Sequence, residues 1–130
     1  MPKRKQTLSP AEWNVMQIVW RLSSGAARDI YQAAGDEHGM AASNVKTVLR
    51  RLVEKGHLET TTVGNCYVYS PTRSRLSTLC SDADRLLEHS RAEGAGRVLA
   101  YMIEKSGMSP DELDELRELL DRHGSDEVDS

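Results

Sequence analysis

The chain has 130 residues, 38% of them hydrophobic and 28% charged, with a formal net charge of -3. These values suit a folded protein of one ordinary domain or two small units better than a disordered chain. No apolar run can span a bilayer and no charged-then-apolar leader is present, so the expected location is cytoplasmic, with no membrane partner.

The two cysteines, Cys66 and Cys80, make neither a disulfide framework nor a metal-binding spacing. With no Phe, the core must rest on Leu, Val, Ile and Met. The charge is unevenly spread. Up to Arg75 there are eleven basic and six acidic residues, a surplus of +5; from Leu76 on there are six and fourteen, a surplus of -8. An acidic whole can therefore still offer one basic half to nucleic acid.

Met1 to Thr7, with Lys3, Arg4 and Lys5, reads as a mobile basic arm. Ser9-Pro10-Ala11-Glu12 is a helix start: Ser9 can cap, Pro10 suits the first position, and Glu12 can close a capping box. That helix runs to about Leu22, with Trp13, Met16 and Trp20 on one apolar stripe. Ser23-Ser24-Gly25 breaks it. A short helix follows, about Ala27 to Ala34, ended by Gly35, with Asp36 to Gly39 as a polar turn.

The segment Ala42 to Gly56 then carries Val45, Val48, Leu49, Leu52 and Val53 at helical spacing. Its other face carries Ser43, Asn44, Lys46, Thr47, Arg50, Arg51 and Glu54. Asn can read adenine edges, Arg and Lys can read guanine or hold phosphate, and Thr can touch a thymine methyl. Helix, short helix, turn and polar-basic helix is the order of a helix-turn-helix.

Leu58 to Val63 and Cys66 to Ser70 read as two strands around Gly64-Asn65, stopped by Pro71. A hairpin directly behind a recognition helix is a wing. Ser74 to about Arg91 reads as a longer helix with Leu76, Leu79, Leu86 and Leu87. Glu93 to Gly96 reads as a joint, and Arg97 to Lys105 as a short helix with Val98, Leu99 and Met102. Ser109-Pro110-Asp111-Glu112 repeats the start signal for a last helix carrying Leu113, Leu116, Leu119 and Leu120 and ending near Gly124. These three helices could bury little alone, so a homodimer through these eleven apolar residues is expected.

The expected fold class is mainly α with a small β-hairpin. Residues 1–75 form a winged helix-turn-helix domain, 76–123 a helical dimerisation region and 124–130 a disordered acidic tail.

Several blocks together resemble the penicillinase and methicillin-resistance repressor family, the BlaI/MecI group with its copper-responsive CopY relatives. They are Leu8 to Trp13, Val45 to Gly56, Gly64 with Tyr67 to Pro71, and Met108 to Leu113. The resemblance covers about Leu8 to Arg122. It implies a homodimeric repressor that binds double-stranded, palindromic operator DNA, has no cofactor, and can meet an inducing protease or sensor. The DNA-facing residues are then Ser43, Asn44, Lys46, Thr47, Arg50, Arg51 and Tyr67.

The chain also departs from the family pattern. Asn44 stands where Thr is usual, and Asn65-Cys66 stands where Arg-Ala is common in the wing. Ala100-Tyr101 falls where β-lactam-responsive members carry a cleavable Asn-Phe bond, and the paired Cys-X-Cys motifs of the copper-responsive members are absent.

No nucleophile elbow, phosphate-cradling glycine loop or metal-binding histidine pair occurs, so no enzyme and no metal site is expected. His38, His57, His89 and His123 read as surface or cap residues. The alternatives are a winged helix that binds protein partners, and a thiol- or metal-sensing regulator using Cys66 and Cys80, with His57. Against the second, Cys66 reads as a small apolar wing residue and Cys80 as packed in its helix.

Overall fold

The computed structural model describes residues 7–129, with side chains described to residue 124. The expected basic arm lies outside the described residues except for Thr7.

The first helix, α1 (Pro10–Leu22), begins as the sequence predicts. The Glu12 amide donates to Ser9 Oγ at 3.2 Å and the Ser9 amide donates to Glu12 Oε1 at 2.8 Å, so the capping box closes from both sides. Val15, Met16, Ile18 and Val19 are buried, and the two tryptophan rings pack at the edge of this core, 5.7 Å apart.

A strand that the sequence reading missed follows: β1 (Gly25–Ala26). It pairs antiparallel with β3 (Cys66–Pro71), which also pairs with β2 (Leu58–Val63), so the expected two-stranded hairpin is a three-stranded sheet in the order β1-β3-β2. Two residues carry no alternation from which a strand could be read. Gly25 suits a close approach: a β-carbon there would meet Leu22 Cδ1 at 3.0 Å and Ile30 Cγ1 at 3.1 Å, so those side chains would have to give way.

The second helix, α2 (Ala27–His38), passes through Gly35. One glycine inside a helix costs only about 1 kcal/mol relative to Ala. The true stop is Gly39, at φ 64°, where the Gly39 and Met40 amides donate back to the carbonyls of Gly35 and Ala34. The expected polar turn at Asp36 is therefore the last turn of α2. Ile30 and Ala34 are buried.

The third helix, α3 (Ala42–Glu54), buries Val45, Val48, Leu49 and Leu52 against α1 and α2. Gly56, at φ 86°, turns the chain into the wing. His57, expected at the surface, is buried, 3% exposed. Its amide donates to Leu52 O, and its carbonyl accepts from the Thr72 amide at 3.0 Å.

The wing is β2 (Leu58–Val63) and β3 (Cys66–Pro71), with Leu58 opposite Pro71 and Val63 opposite Cys66. Pro71 thus ends inside the ladder. Leu58 enters the core and Tyr69 packs against it, which seats the wing on the helices.

One ion pair ties the ends of this body together. Lys55 Nζ donates to Glu12 Oε1 at 2.8 Å, with Glu12 only 2% exposed.

Then come α4 (Arg75–His89), α5 (Ala95–Ser106) and α6 (Pro110–Asp129). The expected joint is shorter than read, since Ala95 and Gly96 are already helical. Ser109 and Glu112 repeat the reciprocal cap, at 3.1 and 3.2 Å. The backbone of α6 continues through Gly124 to Asp129, where a disordered tail is expected. A lone glycine that keeps helical angles does not end a helix. The chain divides into two compact units, Met1–Arg85 and Leu86–Ser130, and the division falls inside α4 rather than after Arg75.

Burial alone would raise the Glu12 carboxyl above its ordinary value. The Lys55 hydrogen bond, the Ser9 amide and the Lys55 charge outweigh burial and hold it below. A depressed folded pKa contributes stability that is present above the unfolded value, about 4.3, and is lost as pH falls through the folded one. Glu12→Gln should therefore cost about 1–3 kcal/mol at pH 7, the scale of a hydrogen bond to a charged group. Urea titrations from pH 7 to pH 3 should show the wild-type advantage shrinking progressively once the pH falls below about 4.

Candidate nucleic-acid interface

The side of α3 away from the core is polar and open. Ser43, Asn44, Lys46, Arg50 and Arg51 are exposed and Thr47 is half-buried, while the four apolar residues interleaved with them are buried. The predicted DNA-facing residues of this helix thus share one surface. The Thr47 hydroxyl donates to Ser43 O at 3.1 Å. Its proton is committed to the helix, which leaves its lone pairs and methyl to face a groove. Arg50 lies 3.8 Å from Glu54 across an exposed i,i+4 step, a weak pair that a phosphate can displace.

Two features escaped the sequence reading. The helices α2 and α3 start from Ala26 and Ala41 with no side-chain cap, whereas α1 and α6 start from capping boxes. Uncapped first-turn amides are ready donors for an anion. Alanine at a cap position was the available signal. Arg28 is exposed in the first turn of α2 and adds a cation there.

The wing is chemically different. From Leu58 to Pro71 its only charged side chain is Glu59. Thr60, Thr61, Thr62, Val63, Asn65, Cys66 and Tyr67 are exposed, with Tyr67 opposite Thr62. What the wing offers DNA is hydroxyls, an amide and an aromatic face. Burial pushes the Tyr69 phenol up, and the charges of Tyr31 and Tyr67 add to the effect.

The apolar residues expected at a dimer contact form no closed core within the described chain. Leu76 is 71% exposed; Leu79, Leu86, Leu87, Leu99, Met102, Leu119 and Leu120 are exposed too, while Val98, Leu113 and Leu116 are half-buried. Both cysteines are exposed, so Cys80 does not pack in its helix as the sequence reading places it. Its neighbour Thr78 takes the inward position of α4. No group of three or more metal-ligating side chains occurs among the described residues. None of the described helices is long and apolar enough to cross a membrane.

Three helices, a three-stranded sheet and a polar helix face before the wing define a winged helix-turn-helix protein of the DNA-binding type. The chain belongs to the penicillinase repressor family, a family of transcriptional repressors, whose model matches residues 8–122. It is similar to an uncharacterised 16.5 kDa protein from the ptsI 3′ region of Latilactobacillus sakei, 29% identical over 92% of this chain and 82% of that one. It is also similar to the penicillinase repressor of Bacillus licheniformis, 23% identical over 93% and 94%.

Among solved structures, the DNA-binding domain of the repressor BlaI matches with a TM-score of 0.53 and 29% identity, over 58% of this chain and 90% of that one. Monomeric Bacillus licheniformis BlaI in complex with the blaP half-operator matches with a TM-score of 0.50 and 26% identity, over 55% and 88%.

Two exposed thiols should both react in the native protein. Titration with a chromogenic disulfide, without denaturant, should return two equivalents per chain, and Cys66→Ser or Cys80→Ser should each remove one. A single native equivalent would mean that one thiol is shielded in solution.

Proposed function

We propose that this repressor is a homodimer that binds a pseudo-palindromic operator, reads bases with α3, and dimerises through α4, α5 and α6. The observation that carries the reading is the division of α3 into one buried apolar face and one open face of Ser43, Asn44, Lys46, Thr47, Arg50 and Arg51. A winged helix built to bind protein partners would favour a neutral or apolar face there. The BlaI half-operator complex supports the DNA reading through a related domain.

In this reading Ser43, Asn44, Lys46, Thr47 and Arg50 meet base edges. Arg51 holds phosphate, helped by the first-turn amides of α2 and α3, and Tyr67 with the wing hydroxyls adds uncharged contacts. The exposed leucines support the dimer: the C-terminal helices leave unpartnered a surface that a second copy can cover. Two-fold symmetry places the recognition helices about one DNA turn apart, so half-sites should lie about 10 bp apart or at a multiple of that. Ala100-Tyr101 lies within α5 and offers no Asn-Phe bond, so an inducing protease directed to that pair has no target there.

Gel-shift selection from genomic fragments gives the operator. Asn44→Ala should then weaken the operator by about 1–3 kcal/mol and leave a shuffled sequence nearly unaffected, whereas Arg51→Ala should weaken both alike and flatten the salt dependence. Equal losses for Asn44→Ala on both sequences would remove it from the base contacts.

The dimer is tested separately. A chain ending at Arg85 should scatter light as a monomer and bind one half-site weakly. The whole protein should gain roughly 10²–10⁴ on the full operator from tethering its second half. A truncated chain that remains dimeric would overturn the role given to α5 and α6.

A further inference from the structure

The join between the winged body and α4 is polar. The Trp20 indole Nε1, from α1, donates to the backbone carbonyl of Arg73 at 3.0 Å. The Arg73 side chain then runs along α4. Its Nε donates to Ser77 Oγ at 3.0 Å, and its Nη2 donates to Ser77 Oγ at 2.6 Å, Ser77 O at 3.1 Å and Ser81 Oγ at 2.8 Å. Ser77 and Ser81 are four residues apart, one above the other on the same helical face, so one planar guanidinium spans two turns.

Ser74 completes the join. Its Oγ accepts from the Ser77 amide and its carbonyl accepts from the Thr78 hydroxyl, both at 3.0 Å. Apolar packing does not do this work. Thr78 is the one buried residue of α4, and Leu76 and Leu79 are exposed.

We propose that Arg73 is a positioning residue: held by Trp20 at its backbone and by Ser77 and Ser81 at its side chain, it fixes the angle at which α4 leaves the winged body. Resting on the dimeric reading above, this makes Arg73 a determinant of how the two recognition helices are spaced. At 1.5 Å per residue, α4 is about 22 Å long, so a tilt of about 10° at its base moves its far end by about 4 Å. That is close to the rise of one base pair, about 3.4 Å. A loose join would let a dimer accept neighbouring half-site spacings; a latched one holds it to a single spacing.

The native thiols permit a distance measurement without knowledge of the operator, and the half-site measurement below uses the operator found by gel-shift selection. In full-length protein with Cys80→Ser, a nitroxide on Cys66 reports the distance between the two wings of a dimer by pulsed electron resonance. The unaltered join should give one narrow distribution. Arg73→Lys keeps the charge but cannot span both serines, and should widen that distribution about twofold or more. Ser77→Ala with Ser81→Ala keeps the arginine, removes two of its acceptors, and should widen it likewise.

Both variants should keep wild-type affinity for a single half-site, because the winged body itself is unchanged. Widths that stay unchanged in both variants would overturn the role of Arg73 and leave the dimer standing. Absence of any wing-to-wing distance in the unaltered protein would overturn the dimer itself, and this proposal with it.

Discussion

One carboxylate oxygen joins the beginning of the first helix to the end of the third. Glu12 Oε1 accepts from the Ser9 amide, which starts α1, and from Lys55, which caps the end of α3. Gly56, His57 and Leu58 follow within three residues, so the same atom also sets where the wing departs. The neighbouring bonds reinforce that point: Thr72 Oγ1 donates to Gly56 O at 2.7 Å and the Thr72 amide to His57 O. A buried carboxylate left without its cation would be strongly unfavourable, so the pair holds α3 to one position even where an apolar pair would stabilise as much. The open face of α3 is presented at a fixed angle because its buried end is pinned.

The two halves of the chain stand in different relations to water. The winged body closes its own core, with Val15, Ile18, Val19, Ile30, Val45, Leu49 and Leu52 fully buried. The C-terminal helices bury almost nothing: α5 has no buried residue, and leucine after leucine remains open. Fully covering an exposed side chain of this kind contributes about 1.5–3 kcal/mol, and this is the term that would favour the proposed dimer. The sequence from Leu76 on has an acidic excess, which disfavours contact with DNA phosphate there.

The legible parts of the sequence were those where chemistry acts locally. Ser9-Pro10-Ala11-Glu12 announced a cap that the geometry reproduces, and the apolar spacing of Val45 to Leu52 announced which side of α3 faces outward. What was not legible depended on distant partners or on conformation. Glu12 reads as a surface capping residue until Lys55, 43 positions later, is seen beside it. Gly35 and Gly124 carry the same letter as Gly39, yet only Gly39 adopts the left-handed angles that end a helix. β1 is too short for any period, and exists because Tyr69 and Val68 offer it a ladder. His57 is buried where the chain turns at Gly56 and where Thr72, 15 positions later, bonds to its carbonyl, a partner its neighbours do not announce. The polar face of α3 was found; the bare amides at the starts of α2 and α3 were missed because they belong to the main chain.

The absence of cations from the wing bears on how such a protein searches a genome. Lysines and arginines that touch phosphate hold a protein to any duplex, and each one lengthens its stay on sequences of no interest. Among the described residues the cations of the proposed interface sit on two helices, and the wing adds no cation of its own. In the proposed complex the wing would then displace no counterions through cations of its own. Discrimination against the mass of competing DNA then rests more on what α3 reads than on how firmly the backbone is gripped.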